Sequence, residues 1–149
     1  MSNSYPVWWD SVLTVYNRYE DPQTNLVTWY RTVLSGCFWK YAGSKVSINQ
    51  VALDTDNVVC RIPKNEAFLT KDKWIAIPAD KKANYFTLGK GDIIVYGEVT
   101  DTISEYEDGK RSSDLLAKYS ELQGCMEMQR IAINTGVGRC EEHYYVSGI

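Results

Sequence analysis

The chain lacks a long hydrophobic run, and this absence limits the class of protein it represents. No apolar stretch in its 149 residues approaches the roughly 20 residues that a membrane-spanning helix requires. The first residues, MSNSYPVWWD, also lack a basic region followed by an apolar core, which predicts that no secretory signal is present. A net charge of −3 and an isoelectric point near 5.2 indicate no general attraction to nucleic acid or to anionic lipid. We therefore expect one soluble domain covering residues 1–149, with no membrane partner.

Residues suited to catalysis are equally scarce. His143 is the sole histidine, and it lies in an alternating strand pattern, where a structural role is the usual one. The sequence contains neither a Gly-x-Ser-x-Gly elbow nor a His-Glu-x-x-His helix. The stretch TLGKGDIIVYGEV (87–99) has the glycines of a phosphate loop, but a β-branched run follows them where a helix would be needed. It predicts a turn that leads into a strand. We expect no enzymatic activity and no cofactor.

The cysteines are few and widely spaced. Cys37, Cys60, Cys125 and Cys140 include no Cys-x-x-Cys pair. A zinc site built from Cys125, Cys140 and His143 is the alternative, because Cys140-Glu-Glu-His143 has ligand-like local spacing. A structural zinc ion takes four ligands, and no regular fourth ligand accompanies these three. The pattern therefore favours buried packing thiols and predicts no metal site.

Much of the chain reads as short strands. Residues 11–19 alternate, a polar turn with Pro22 follows, and residues 26–34 return as a second strand, which predicts a hairpin. Ser35-Gly36 is expected to end that strand before a third begins at 37–41. The further predicted strands are a short one within 45–53, then 58–62 stopped by Pro63, 92–99 with a bulge at Gly97, 126–134 and 142–148.

One segment has the pattern of an α-helix, residues 112–124. Ser113 is the expected cap and Gly124 the expected C-terminal stop. An apolar stripe recurs at helical spacing and consists of Leu115, Leu116, Tyr119 and Leu122. The predicted fold is therefore mainly β: a small β-barrel or sandwich of seven to eight antiparallel strands, with one α-helix and a long loop.

The predicted long loop covers residues 63–88. A short helical turn can start at Thr70 and include Trp74, but Pro78 excludes a long helix. A loop of this length is uncommon in a compact domain and is often functional. The alternative is a surface excursion pinned by Phe68, Trp74 and Phe86. The sequence does not separate these two possibilities.

Aromatic residues are concentrated near the start of the chain. Ten of the 19 aromatic residues lie within positions 1–41. Most are explained as core residues of a small barrel, but Tyr5, Trp8 and Trp9 lie in a terminal arm (1–10), where burial is unusual. Aromatic residues are enriched at interface cores, so this arm predicts an anchor for another protein. A stacking platform for sugars is the alternative.

A succession of segments spans nearly the whole chain: TVYNRYEDPQTN, WYRTVLSGCFWK, VVCRIP, YFTLGKGDIIVYGEV, SSDLLAKYSEL and HYYVSGI. In this order the segments resemble the head–tail connector, or minor capsid, proteins of tailed bacteriophages. Within that group the chain is most similar to the head-closure, or stopper, proteins, which are small β-barrels carrying a long loop. The tail-terminator and adaptor proteins of the same neck region are the alternatives.

The resemblance implies a virion protein that is made in the bacterial host cytoplasm and assembles into a ring with itself, six- or twelve-fold, by a heterologous contact. Its other partners would be the portal/adaptor proteins and the tail-terminator or tail-tube proteins, with non-specific contact to genomic DNA in the channel. The long loop, or the loop at 42–57, would project into the lumen or grip the adaptor. The predicted interface residues are Tyr5, Trp8, Trp9, Trp74, Lys71, Lys73, Lys81 and Lys82.

Overall fold

The architecture is a six-stranded antiparallel β-barrel with helical segments on its outside. The structure, a computed structural model, describes residues 8–41, 45–48, 51–54, 58–121, 124–134 and 142–149. Its strands are β1 (Ser11–Glu20), β2 (Val27–Tyr41), β3 (Lys45–Ile48), β4 (Val51–Asp54), β5 (Val58–Pro63), β6 (Ile93–Tyr96), β7 (Cys125–Asn134) and β8 (His143–Gly148). Its helices are α1 (Lys71–Ala76), α2 (Ala79–Lys82) and α3 (Ser112–Glu121).

The barrel closes in the order β1-β2-β5-β8-β7-β6, and β3 and β4 form a separate two-stranded sheet. The predicted mainly β fold with seven to eight antiparallel strands is confirmed, and the barrel replaces the sandwich alternative. The prediction of one helix is wrong, because α1 and α2 lie within the segment that was expected to be a loop. The helical turn at Thr70 is confirmed: Thr70 is the N-cap of α1, which contains Trp74 and ends before Pro78. No helix in the described part of the chain has the length and apolarity to cross a membrane.

The β1–β2 hairpin is as predicted, but β2 does not end at Ser35-Gly36. The whole strand is 15 residues long and passes through Gly36, because this glycine takes a left-handed φ of 69° and forms a bulge. The register shows this directly: Leu13 pairs with Leu34 and Ser11 with Cys37, so β2 has one extra residue in that interval. Residues 26–34 and 37–41 are therefore two halves of one strand that bends as it joins two neighbours.

The barrel wall has an apolar cluster on each side. The inner cluster fills the barrel and includes Leu13, Val15, Ile94, Met126 and Val146. The outer cluster lies between the wall and α3 and includes Tyr16, Ile93, Val95, Leu115 and Tyr119. Because β6 has apolar neighbours on both faces, its sequence IIVY is a continuous apolar run without alternation.

The helix α3 matches its predicted stripe, with Leu115 and Tyr119 buried. Its stop is also confirmed, since Gly124 has a φ of 101° and its N–H donates to the Tyr119 carbonyl at 2.8 Å. The cap at Ser113 is wrong. The helix already begins at Ser112, and the Glu105 carboxylate accepts the Ser112 N–H at 2.9 Å and its hydroxyl at 2.8 Å. Leu122 lies outside the described residues.

Candidate assembly surfaces

The segment from Lys64 to Gly91, here called the excursion, packs against the β1–β2 hairpin near its turn. Trp74 is its anchor: the side chain is fully buried, and the rings of Tyr19 and Tyr30 meet it edge-on with centroids 6.1 and 5.6 Å away. Phe86 is buried as well, and Phe68 stacks on Tyr144 at 4.2 Å. The segment is therefore pinned by its three aromatic residues, as the second of the two sequence interpretations requires.

Lys82 is the unexpected member of this anchor. Only 1% of the residue is exposed, and its Nζ donates to the carbonyl oxygens of Ile75 (3.1 Å) and Ile77 while lying 4.5 Å from the centre of the Tyr19 ring. Desolvation by burial lowers the pKa of this lysine. The carbonyls are those left open where α1 ends, so Lys82 satisfies a helix terminus inside the protein.

The loop at residues 87–92 is a turn that a buried carboxylate ties to the barrel. The Asp92 N–H donates to the Gly89 carbonyl at 3.0 Å, which confirms the turn. The Asp92 side chain is 1% exposed and receives the Lys71 ammonium at 3.1 Å and the Asn17 amide at 2.9 Å. Burial raises the pKa of Asp92, and Lys71 is the strongest opposing influence. This contact was not predicted from the sequence, although Asn17 occupies an inward-facing position of β1, which signals a buried polar partner.

The structure thus divides the predicted interface residues of the excursion. Trp74 and Lys82 lie inside the protein and do not present a surface to a partner, which corrects their assignment. Lys71 is bound to Asp92 and 34% of its side chain is exposed. Lys73 and Lys81 are exposed, but Asp72 and Asp80 beside them are exposed too, so this surface carries mixed charge.

The aromatic arm is divided in the same way. Trp9 is 8% exposed and packs on Phe38, with ring centroids 6.3 Å apart, and edge-on against His143 at 5.3 Å. Trp8 is 64% exposed and points into solvent. Tyr5 lies outside the described residues. The arm therefore docks through Trp9 and presents Trp8.

Cys125 and His143, the two described residues of the zinc alternative, do not come together. Cys125 begins β7 and lies under α3, where its Sγ donates to the Leu116 carbonyl at 3.4 Å and burial raises its pKa. His143 pairs with Asn134 at the opposite end of β7, about 30 Å away at roughly 3.3 Å per residue. Arg61 contacts the His143 Nε2 at 2.9 Å. Cys140 lies outside the described residues, and no cluster of three metal-ligating side chains occurs among those described.

Two surface cavities adjoin α3. One, of about 390 Å³, is bordered by Lys110, Arg111 and Lys118, and each of these cations already pairs with a carboxylate. The Lys118–Asp101 pair is the shortest at 2.8 Å, and hydrogen bonds from Lys118 and Tyr119 lower the pKa of Asp101. The other, of about 450 Å³, lies beside the Trp29 ring and the start of α3. The ion pairs around the first cavity are those of a satisfied polar surface.

The hairpin of β3 and β4 forms a sheet of its own, separate from the barrel. Lys45 pairs with Asp54 and Ile48 with Val51, and neither strand joins a further described strand. The hairpin is inserted between β2 and β5, at the place where these two strands meet to close the barrel. An isolated two-stranded hairpin is marginally stable in water, so this element gains from a partner.

Comparison with known proteins identifies one family. The protein-family model described as "Family of unknown function (DUF6751)" matches residues 9–149. No curated protein and no solved structure matches the chain.

Proposed function

We propose that the chain, which belongs to the DUF6751 family of unknown function, is a structural protein of the neck of a tailed bacteriophage. Copies of it would form a head-closure ring between the portal/adaptor and the tail. The observation that carries the proposal is the β3–β4 hairpin, which forms a sheet separate from the closed barrel and pairs with no other described strand.

A barrel with a separate hairpin suits a ring subunit for a physical reason. A ring requires a heterologous contact, in which two different surfaces of each copy meet, and the contact must repeat until it closes. The barrel supplies a rigid body, since both faces of its wall are packed. The β3–β4 hairpin supplies a second surface, and its strands pair with no other described strand.

The exposed aromatic and basic side chains fit the same role in a secondary way. Trp8 is a large exposed anchor of the kind that is enriched at interfaces. Lys73 and Lys81 would allow phosphate-level contact with DNA in a channel, without sequence readout. Because Asp72 and Asp80 lie beside them, we assign DNA contact a minor part.

The decisive experiment uses the genome that encodes the chain. Disruption of its gene should yield heads and tails that do not join, and supply of the wild-type protein should restore joined particles. A variant in which a flexible Gly-Ser segment replaces residues 45–54 should fail to restore them. Joined, infectious particles formed without the chain would end the proposal.

A matched control is an exposed ion pair that lies far from the hairpin in the sequence. Lys110 and Glu107 pair at 3.2 Å with more than half of each side chain exposed. The double variant Glu107→Ala and Lys110→Ala should restore joining as well as the wild type does. Particles should also contain the chain in a ring, seen by electron microscopy of the isolated neck.

A ligand-binding β module is the second candidate, and the groove beside Trp29 is the observation that favours it. The groove of about 450 Å³ combines this aromatic ring with Arg18, Lys90 and Glu127 at its border. A glycan that stacks on Trp29 would change the tryptophan fluorescence of the wild type and leave that of Trp29→Leu unchanged. Absence of any such change across a panel of oligosaccharides would remove this candidate.

A further inference from the structure

In the first half of β2, alternate residues direct their backbone N–H and C=O groups away from β1. The Asp21 N–H donates to the Leu26 carbonyl at 2.9 Å, which places 21 and 26 in a hydrogen-bonded pair of the antiparallel ladder. Because such pairs alternate, Trp29, Arg31 and Val33 direct their N–H and C=O groups away from β1. Two contacts agree with this parity: the Val27 N–H meets the Tyr106 hydroxyl at 2.8 Å, and the Arg18 N–H, opposite residue 29, meets Asp92 at 3.0 Å.

On the side away from β1, this half of β2 pairs with no described strand. Strand β5 pairs with β2 from Phe38 to Tyr41, beyond the Gly36 bulge, and no other described strand pairs with β2 besides β1. Within the described residues, the outward backbone groups of Trp29, Arg31 and Val33 have no hydrogen-bond partner. We call these groups the open edge; it extends over about 13 Å from residue 29 to 33, at roughly 3.4 Å per residue.

The open edge also lacks the usual protection against pairing. Natural edges are guarded by lysine, proline or an inward-pointing charge, and the stretch VTWYRTVLS contains neither lysine nor proline. Its one charged residue is Arg31, whose Nε donates to the Val99 carbonyl at 2.6 Å. The guanidinium is therefore held on the outer face of the sheet and does not cover the edge.

We propose that the β3–β4 hairpin of a second copy of this chain adds to the open edge of β2. The inference rests on the ring assembly proposed above and names the contact that builds it. Among the described strands, the hairpin and the open edge each lack a pairing partner on one side, and they are different surfaces, as a heterologous contact requires. Each strand of the hairpin has four residues, one fewer than the span from 29 to 33. Main-chain hydrogen bonds would supply the affinity, as in other cases of strand addition.

The first test separates the backbone from the side chain at one position. Val33→Pro removes an outward N–H and places a ring where the new strand would lie, whereas Val33→Thr keeps the N–H and the β-branched shape. In sedimentation of the full chain, Val33→Pro should weaken self-association about tenfold or more, and Val33→Thr should not. Equal association of all three proteins would overturn the inference.

A second edge variant keeps the test valid should Val33→Pro fold poorly. Val33→Lys retains the N–H and adds an edge charge of the kind that blocks pairing. Its matched control is Ile149→Lys, which makes the same change at an exposed apolar side chain outside the edge. Thermal unfolding should be similar for both, while association should fall for Val33→Lys alone. Association that is unchanged in Val33→Lys, or that falls equally in both, overturns the inference.

A mixing experiment identifies the occupant of the edge. A copy with Val33→Pro keeps its hairpin as donor, and a copy in which a Gly-Ser segment replaces residues 45–54 keeps its open edge as acceptor. Each alone should stay monomeric, and their mixture should form a 1:1 dimer that does not grow. A mixture that stays monomeric shows that the hairpin is not the occupant, and excludes the proposal in favour of another edge or another protein.

The outcomes for this contact and for the neck function are distinguishable. Rings recovered from particles assembled with Val33→Pro would overturn the edge pairing and leave the proposed function intact. Absence of the chain from particles would overturn the function, and a 1:1 dimer in the mixture would still support the edge pairing.

Discussion

Asp92 shows what one buried carboxylate does for this protein. It receives the Lys71 ammonium, the Asn17 amide and the Arg18 N–H, and so links the excursion to β1. Hydrogen bonds to charged groups contribute about 1.5–3 kcal/mol each, against a large cost of desolvation. For the Asp92 carboxylate, the cost of desolvation exceeds the gain from these contacts, since burial raises its pKa above the ordinary value of 3.8.

The raised pKa predicts a pH dependence with a definite sign. The folded protein holds the Asp92 proton to a higher pH than the unfolded chain does, so this group's contribution to the free energy of unfolding falls as pH rises from below 3.8 through the folded pKa. Asp92→Asn does not titrate at this position. The wild-type free energy of unfolding minus that of Asp92→Asn should therefore decrease across that interval, as measured by urea denaturation at successive pH values.

Asp101 supplies a control of opposite sign. Hydrogen bonds from Lys118 and Tyr119 lower its pKa, so its contribution is present above the unfolded pKa and is lost as pH falls through the folded one. The difference between wild type and Asp101→Asn should rise with pH below about 3.8. A rising difference for Asp92→Asn as well would show that Lys71 outweighs desolvation.

Single residues were the least predictable level from sequence. Local patterning identified Thr70, Trp74 and Gly124 because caps, helical spacing and C-terminal glycines act over a few residues. It did not identify burial of Lys82, since the carbonyls that bind its ammonium are exposed by the end of α1 and the ring beneath it comes from β1. Contacts between distant segments leave little trace in the local sequence.

Among the elements, β2 depends on one glycine. Gly36 has a φ of 69°, where an ordinary side chain is strained, and a Cβ there would meet the nearest atom, the Trp9 carbonyl oxygen, at an ordinary 3.8 Å. Gly36→Ala should therefore lose about 1 kcal/mol of stability from backbone conformation alone. Ser35→Ala, its exposed neighbour, should change stability by less than about 0.5 kcal/mol in the same denaturation experiment. Equal effects would show that the bulge carries no conformational strain.

We predict that the packing of the excursion against the barrel depends on Trp74. Trp74→Ala removes a fully buried ring from between Tyr19 and Tyr30, and such truncations cost about 3–5 kcal/mol. The segment should then detach locally, and trypsin should cleave faster after Lys73 and Lys81. Ile75→Ala, at a neighbouring side chain that is 45% exposed, should leave the cleavage rate near that of the wild type. A Trp74→Ala protein with unaltered cleavage would show that Lys71 and Phe86 suffice as anchors.

At the scale of the whole molecule, the β fold could be predicted from the sequence, but the strand pairing that closes the barrel could not. Alternation and turn residues indicated most of the strands, because each strand's burial pattern is written in its own sequence. The pairing of β2 with β5 over four residues, which closes the barrel and leaves the open edge, follows from the bulge at Gly36 and from long-range packing. The open edge therefore emerged from the strand topology, whereas the sequence had pointed to the loop at 42–57, to the long loop and to aromatic and basic residues.

The two apolar clusters share one wall, and this predicts that the molecule unfolds as a unit. Ile94 faces the inner cluster and Val95 the outer one, and both are fully buried on adjacent positions of β6. Loss of either cluster would expose one face of β6, so neither layer is stable without the other. Ile94→Ala should cost about 2–5 kcal/mol and Val95→Ala somewhat less, since it removes less volume.

Hydrogen exchange measures whether the layers are coupled. In both β6 variants, the slowest amides of α3 and of β1 should lose protection by the same free energy, because both report the same global opening. Leu116→Ala, at a partly buried side chain on the edge of the outer cluster, is the matched control and should lower both by a smaller, equal amount. Protection that falls in α3 of Val95→Ala while β1 keeps its wild-type value would show that the helix layer opens independently, and that the barrel alone is the rigid body on which a ring contact is built.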